Sequence, residues 1–296
     1  MGERTVSLVR PKPTRLSTGF YADAARRLRR NRAAMTGLLV VAGLVVLAVF
    51  APLIAPADPI AQNLEMRLIP PSRQHWLGTD DLGRDLLTRM IYGGRVSLTV
   101  GLVSVGIALA VGTVLGLAGG FYRGVSESII MRTMDVMLAF PATLLAIFIV
   151  GVRGPGLNNA MLAIGVINIP IFARIVRGST LRVRQEDFVE AARALGASQQ
   201  RILNRHILPN TLAPIIVQTS LSIGAAILEA AGLSFLGLGA QAPTPEWGAM
   251  LTNTREFLRD APWAATFPGL AILVAVVGFN LLGDGLRDAL DPRLRQ

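Results

Sequence analysis

Few side chains in this sequence could do chemistry. There is no cysteine, there are only two histidines, His75 and His206, and Lys12 is the only lysine. Lack of cysteine excludes disulfides, iron–sulfur clusters and thiolate zinc sites, and the two histidines stand too far apart in sequence for a metal pair. No H-E-x-x-H is present, which removes an intramembrane metalloprotease. A P-loop requires G-x-x-x-x-G-K-[ST], and Lys12 is far from any glycine-rich loop, so hydrolysis of a nucleotide cannot reside here by that route. The stretch GLGAQA at 237–242 lacks the third glycine of a dinucleotide fingerprint and follows an apolar run.

Two acids, Asp135 and Glu229, fall inside apolar stretches. A charge at the centre of a membrane helix costs about 2.5–3.5 kcal/mol, so each must face protein or water. Arg132 lies one turn from Asp135, which predicts a local i, i+3 ion pair. Glu229 has no basic neighbour within a turn. Asn168, Gln218 and Asn280 sit in similar stretches, where amides line a passage or bind helices together.

The elements that must hold these residues are apolar. The chain of 296 residues is 52% hydrophobic and 16% charged, with a mean hydropathy of +0.51, which points to a lipid bilayer instead of a small soluble core. A spanning helix needs roughly 20 apolar residues. Six stretches qualify: 34–56, 96–120, 129–151, 160–176, 211–236 and 266–283. The fourth is short and interrupted by Pro170. The first exceeds the apolar region of a secretory signal, so it is expected to be retained.

The net charge of +10 gathers beside these stretches and aromatics are only 6%, a pattern of membrane topology and not of nucleic-acid binding. Arg4, Arg10, Lys12, Arg15, Arg26, Arg27, Arg29, Arg30 and Arg32 bias the N-terminus to the cytoplasm. Alternation then places 121–128, 177–210 and 284–296 inside, where Arg177, Arg182, Arg184, Arg193, Arg201, Arg205, Arg287, Arg293 and Arg295 lie. The expected fold is an all-α membrane protein of six transmembrane helices with both ends inside. Its parts are a basic segment 1–33, a first span with an extracytoplasmic segment 34–95, a five-helix core 96–286 containing the loop 177–210, and a tail 287–296.

Gly112, Gly116, Gly120 and Gly124 recur every four residues and mark a face for close helix packing. Pro141, Pro170, Pro214 and Pro268 lie within or at the start of spans, where they kink helices or release backbone groups. In the segment 57–95, Thr79 is expected to cap a helix with Asp80 and Asp81 in its first turn. Leu82, Leu86, Leu87, Met90 and Ile91 would form a stripe resting on the membrane–water interface, with Trp76 as an anchor.

Between the fourth and fifth stretches lies EAARALGASQQRILNRHILPN, residues 190–210. A helical pattern from Glu186 to Leu195 puts Phe188, Ala192 and Leu195 on one face, and Gly196 offers a stop. Ser198 can cap a second short helix with Ile202, Leu203 and Ile207 on its apolar side, and Pro209 ends it or opens the fifth span. A lipid-binding helix would carry large apolar side chains, whereas EAARALGA is small. Small residues suit a protein groove that closes around the backbone. A helix seated there passes rigid-body motion to the spans attached to it.

This segment resembles the signature loop of permease subunits in binding-protein-dependent ABC importers: Glu190, Ala191, Ala192, Gly196, Leu208 and Pro209 match position for position. His206, standing where the broad pattern has an aliphatic residue, is similar to the dipeptide, oligopeptide and nickel branch. HWLGTDDLGRDLLTRMIYGGRVSL at 75–98, EAAGLSFLGLG at 229–239 and GDGLRDALDPRLR at 283–295 resemble the same branch. The first of these points to the C-type subunit of the two permeases.

The resemblance implies that Glu190, Ala191, Ala192, Gly196, His206, Leu208 and Pro209 couple the chain to a cytoplasmic ATPase. Two such ATPases would hold the ATP and Mg, leaving this chain without catalytic residue, metal or cofactor. A second homologous permease would complete the pathway, and an extracytoplasmic binding protein would dock on 57–95 and 240–265. The implied function is import of di- or oligopeptides across the inner (cytoplasmic) membrane, with nickel or another small solute as the alternative cargo. Glu229 would then contact a peptide ammonium or cap backbone groups of an adjacent helix. A secondary transporter using Asp135 and Glu229 as proton carriers is a rival, disfavoured because no convincing inverted repeat relates 34–120 to 160–283.

Overall fold

The computed structural model describes residues 19–290; the basic positions Arg4, Arg10, Lys12, Arg15, Arg293 and Arg295 lie outside them. Among the described residues the chain is helical, with no strand beyond an isolated bridge between Thr79 and Asp85. Helix α1 spans Gly19–Arg30, α2 Arg32–Val49, α3 Ala51–Ile54 and α4 Leu86–Tyr122. Then come α5 (Val125–Ala139), α6 (Ala142–Arg153), α7 (Leu157–Val183), α8 (Asp187–Ala194), α9 (Gln199–Ile202), α10 (Leu208–Phe235), α11 (Trp247–Thr254) and α12 (Trp263–Leu290). Among the described residues five helices are long and apolar enough to cross a membrane, and α5 with α6 makes a sixth candidate as a bent pair.

Helix α4 starts ten residues earlier than the apolar pattern indicated. Its 37 residues make a rod of about 55 Å, longer than the roughly 30 Å hydrocarbon layer. The expected cap at Thr79 is not found. Asp85 is the N-cap, accepting from the Thr88 N–H at 2.8 Å and its hydroxyl at 2.7 Å. Asp80 turns the preceding loop instead, and Gly83 breaks the chain there with φ +71; a Cβ at Gly83 would lie 1.7 Å from the Asn63 carbonyl oxygen. Leu86 is fully buried and Ile91 nearly so, so these residues face the bundle and not the membrane surface.

The centre of the bundle is α4 against α7. A Cβ at Gly112 would meet Phe172 Cβ at 2.5 Å, at Gly116 the Ala173 carbonyl at 2.6 Å, and at Gly120 Thr180 Cβ at 2.7 Å. Gly165 answers from α7, with Ile107 Cβ 2.9 Å from where its own Cβ would be. Gly124, fourth in the series, meets nothing within 4 Å and has φ +73; it makes the turn into α5. Across the bundle, α12 packs on α10 and on α2, where a Cβ at Gly37 would lie 2.6 Å from the Leu282 backbone nitrogen.

The third predicted span is broken. Helices α5 and α6 meet at 93° across Phe140–Pro141, where proline supplies no N–H to continue the ladder. The fourth, expected to be interrupted at Pro170, runs unbroken for 27 residues. Pro170 is buried in that helix, and packing on α4 holds the helix through the missing hydrogen bond.

The seam makes a stability prediction. Gly116→Val should destabilise the purified protein by about 1–3 kcal/mol through overpacking, whereas Gly106→Ala, on the same helix with nothing within 4 Å of its Cβ, should be neutral or stabilising by up to about 1 kcal/mol. Thermal melts in detergent that rank the two alike would show that the seam does not set the helix spacing.

Candidate functional site

The hairpin at 187–207 is built by local rules and then pinned by a small core. Asp187 and Glu190 lie in the first turn of α8 and Arg193 in its last, each sign favoured by the helix dipole. The helix ends in a paired closure: Gly196 N–H donates to the Arg193 carbonyl and Ala197 N–H to that of Ala192, both at 3.0 Å. Gly196 has φ +79, as such a closure requires. Ser198 Oγ accepts from Arg201 N–H at 3.3 Å and caps α9. A π-turn at Leu203–Ile207 then joins α9 to α10, with Pro209 in the first turn of α10. Pro209 therefore opens the fifth apolar helix and does not separate it from the hairpin.

Val189, Ile202 and Ile207 are almost wholly buried against Phe121 and Val183 at the ends of α4 and α7. Arg184 secures the same corner, donating to the Phe121 carbonyl at 2.9 Å with its guanidinium 5.8 Å above the Phe121 ring. The inward face of α8 is thus carried by Val189. Phe188 and Leu195 point away, and Leu195 is 88% exposed. Glu190, Ala191 and Gly196 are exposed beside them and Ala192 is half-buried. His206 is half-buried with its ring 6.3 Å from that of Phe188, while Leu208 and Pro209 sit at the root of α10. The result is a small-residue tip with two apolar side chains, rigidly backed.

The intramembrane polar residues divide into separate places. Asn168 and Glu229 come together across α7 and α10, Asn168 Nδ2 donating to Glu229 Oε2 at 3.0 Å. Gln218 donates to Ser222 Oγ at 2.9 Å along α10, and Asn280 is exposed on α12. Asp135 pairs with Arg174 of α7 at 2.5 Å, not with Arg132 on its own helix. Arg177 pairs with Glu127 nearby, so two ion pairs tie α5 to α7.

At the opposite end of α4, sequence reasoning missed a buried ionic cluster. Asp80 Oδ1 accepts the Leu82 and Arg84 N–H groups at 3.0 Å, and Oδ2 accepts from Arg84 Nε at 2.7 Å. Arg89 Nε lies 3.2 Å from the same oxygen, and Arg89 Nη1 donates to the Pro59 carbonyl at 2.8 Å. His75 Nδ1 is 2.9 Å from Asp85 Oδ1. The segment 240–265 also folds inward. Glu246 caps α11 through Gly248 and Ala249 N–H at 2.9 and 2.8 Å and accepts from Ser97 Oγ at 3.2 Å. The Trp247 indole donates to the Met90 carbonyl at 3.0 Å and lies where side chains on Gly93 and Gly94 would be. Two adjacent glycines inside a helix, each costing about 1 kcal/mol, were the available signal.

A family model described as "Binding-protein-dependent transport system inner membrane component" matches residues 112–296. The chain belongs to that family. A second model, the N-terminal TM domain of oligopeptide transport permease C, matches 19–71 of this inner membrane component, in accord with the C-type reading. It is 51% identical to the dipeptide transport system permease protein DppC of Alkalihalophilus pseudofirmus, covering 93% of this chain and 90% of that protein. It is 46% identical to a probable D,D-dipeptide transport system permease protein, DdpC, of Escherichia coli, covering 97% and 96%. The Escherichia coli glutathione transport system permease protein GsiD is 50% identical, with 96% and 94% covered. Among solved structures, an inward-facing MetNI methionine ABC transporter chain superposes with a TM-score of 0.58 at 17% identity, covering 70% of this chain and 98% of that one. Family and helices together make this inner membrane component a multi-pass membrane protein.

The cluster carries a pH prediction. Burial first, and the neighbouring Asp80 charge second, raise the pKa of Asp81 above its ordinary 3.8. A raised folded-state value means that ionisation opposes folding, so this cost is present at neutral pH and vanishes as the pH falls below 3.8. Asp81→Asn should raise the melting temperature at pH 7, with the gap from wild type closing towards pH 4. A variant that melts lower at pH 7 would show that the contact of Arg84 Nη2 with Asp81 Oδ1, at 3.5 Å, outweighs burial.

Proposed function

We propose that this inner membrane component is the C-type permease of an ATP-driven importer and forms half of a pathway for small peptides. A second homologous permease supplies the other half, two cytoplasmic ATPases hold ATP and Mg, and an extracytoplasmic binding protein delivers the cargo. This chain performs no hydrolysis. Six crossings with both ends in the cytoplasm put the hairpin on the ATPase side, in keeping with the arginines around it. Small peptides are the favoured cargo because similar proteins are named for dipeptides, D,D-dipeptides and glutathione.

One observation carries the coupling role: the hairpin is anchored by Val189, Ile202 and Ile207 to the ends of α4 and α7 and is continuous with α10, while its small-residue tip stays exposed. A motor subunit gripping Ala191, Leu195 and Gly196 would displace the bundle as a body. Glu190, Ala192, His206, Leu208 and Pro209 shape the grip and its root.

Glu190→Lys and Gly196→Glu test this. Both variants should insert and melt within a few degrees of wild type, yet lose about tenfold or more of peptide uptake in proteoliposomes with the ATPases, a loss of about 1.4 kcal/mol or more. ATP hydrolysis should no longer respond to the loaded binding protein. Wild-type uptake in both variants would remove the hairpin from the coupling path.

A further inference from the structure

The Asn168–Glu229 pair joins α7 to α10 away from the hairpin at 187–207. Glu229 stands on α10 six residues before that helix ends, in an apolar segment. Asn168 gives one amide hydrogen to Glu229 Oε2 at 3.0 Å and the other to the Ile164 carbonyl at 2.9 Å, so its donors are both used. An amide donor offsets part of the desolvation of a carboxylate but leaves its charge uncompensated. Among the described residues no cation lies within ion-pair distance of Glu229, whereas Asp80, Glu127 and Asp135 each have an arginine.

The surroundings leave room for a ligand. Ala225, Leu228 and Gly232 are exposed beside Glu229, which is itself half-exposed, so among the described residues nothing covers this strip of α10. At 100° per residue, Gln218, Ser222 and Glu229 fall within about 40° of one another on the helix. They form a polar line along one side of α10, with Gln218 bonded to the buried Ser222. A lipid-facing strip would not carry a carboxylate. A divalent metal needs several oxygen or nitrogen ligands, and among the described residues Glu229 is the only carboxylate on this strip. An ammonium group needs one anion with a free acceptor, which Glu229 offers through Oε1.

Resting on the peptide reading above, we infer that Glu229 is the recognition point for the α-ammonium of a peptide crossing between the permeases. Asn168 is a positioning residue that fixes the carboxylate through Oε2 and leaves Oε1 for the cargo.

The test uses the whole complex in proteoliposomes, with binding protein loaded with labelled dipeptide, and reads peptide moved per ATP hydrolysed. Glutamine can still accept from Asn168, so Glu229→Gln removes charge while keeping the interhelical bond. The variant should assemble, keep binding-protein-stimulated hydrolysis within about twofold, and move about tenfold fewer peptides per ATP. Wild type and variant should converge on an analogue whose amino group is replaced by hydrogen. Unchanged transport per ATP would overturn the inference. Failure of the variant permeases to pair would also overturn it, by showing that Glu229 meets a cation of the second permease or serves folding. If wild type itself shows no ATP-driven peptide uptake, the functional reading fails first, and this inference with it.

Discussion

Where α4 and α7 run together, backbone meets backbone at Gly112, Gly116 and Gly120, with Phe172, Ala173 and Thr180 in the space that side chains would occupy. In lipid no hydrophobic force drives helices together, so close packing of small residues must supply much of the association. The seam fixes the relative heights of the two helices. Their ends, Phe121 and Val183, then become the socket into which Val189, Ile202 and Ile207 fit. Had α4 and α7 slipped by one turn, that socket would not exist.

From the socket, stiffness runs in two directions. Arg184 binds the end of α7 to the last turn of α4, so the two move as one. The chain after Ser198 continues through the π-turn into α10, which packs on α12, α4 and α7. A push at the exposed tip is therefore shared by most of the bundle. The bent pair α5–α6 joins the same body through buried side chains, Met134 of α5 against Ile169 and Ala173 and Ala146 with Val150 of α6 in the main core, and two ion pairs add to its hold on α7.

Much of this was legible in residue order. The apolar stretches found the long helices, the four-residue glycine spacing found the seam, and Gly196 and Ser198 found both caps of the hairpin. Each of these signals is local. What escaped depends on partners distant in sequence: Asp135 chose Arg174 over Arg132 because α7 brings a guanidinium alongside, and Thr79 lost the cap to Asp85 because Gly83 is pressed against Asn63. Pro141 and Pro170 look alike in sequence, yet one breaks a helix and the other does not. Pro170 is buried against α4, whereas Phe140 and Pro141 are exposed. Helix α11 was hidden because its signal lay in Gly93 and Gly94, on another element. Among the pathway candidates, Asn168 and Glu229 carried no hint that they would meet.

The π-turn between α9 and α10 sets an angle. Five residues, Leu203–Ile207, complete a turn that an α-helix would close with one fewer. That extra residue advances the azimuth of everything before it by roughly 100° about the axis of α10. The knob's compass bearing is therefore set apart from that of the rod that carries it.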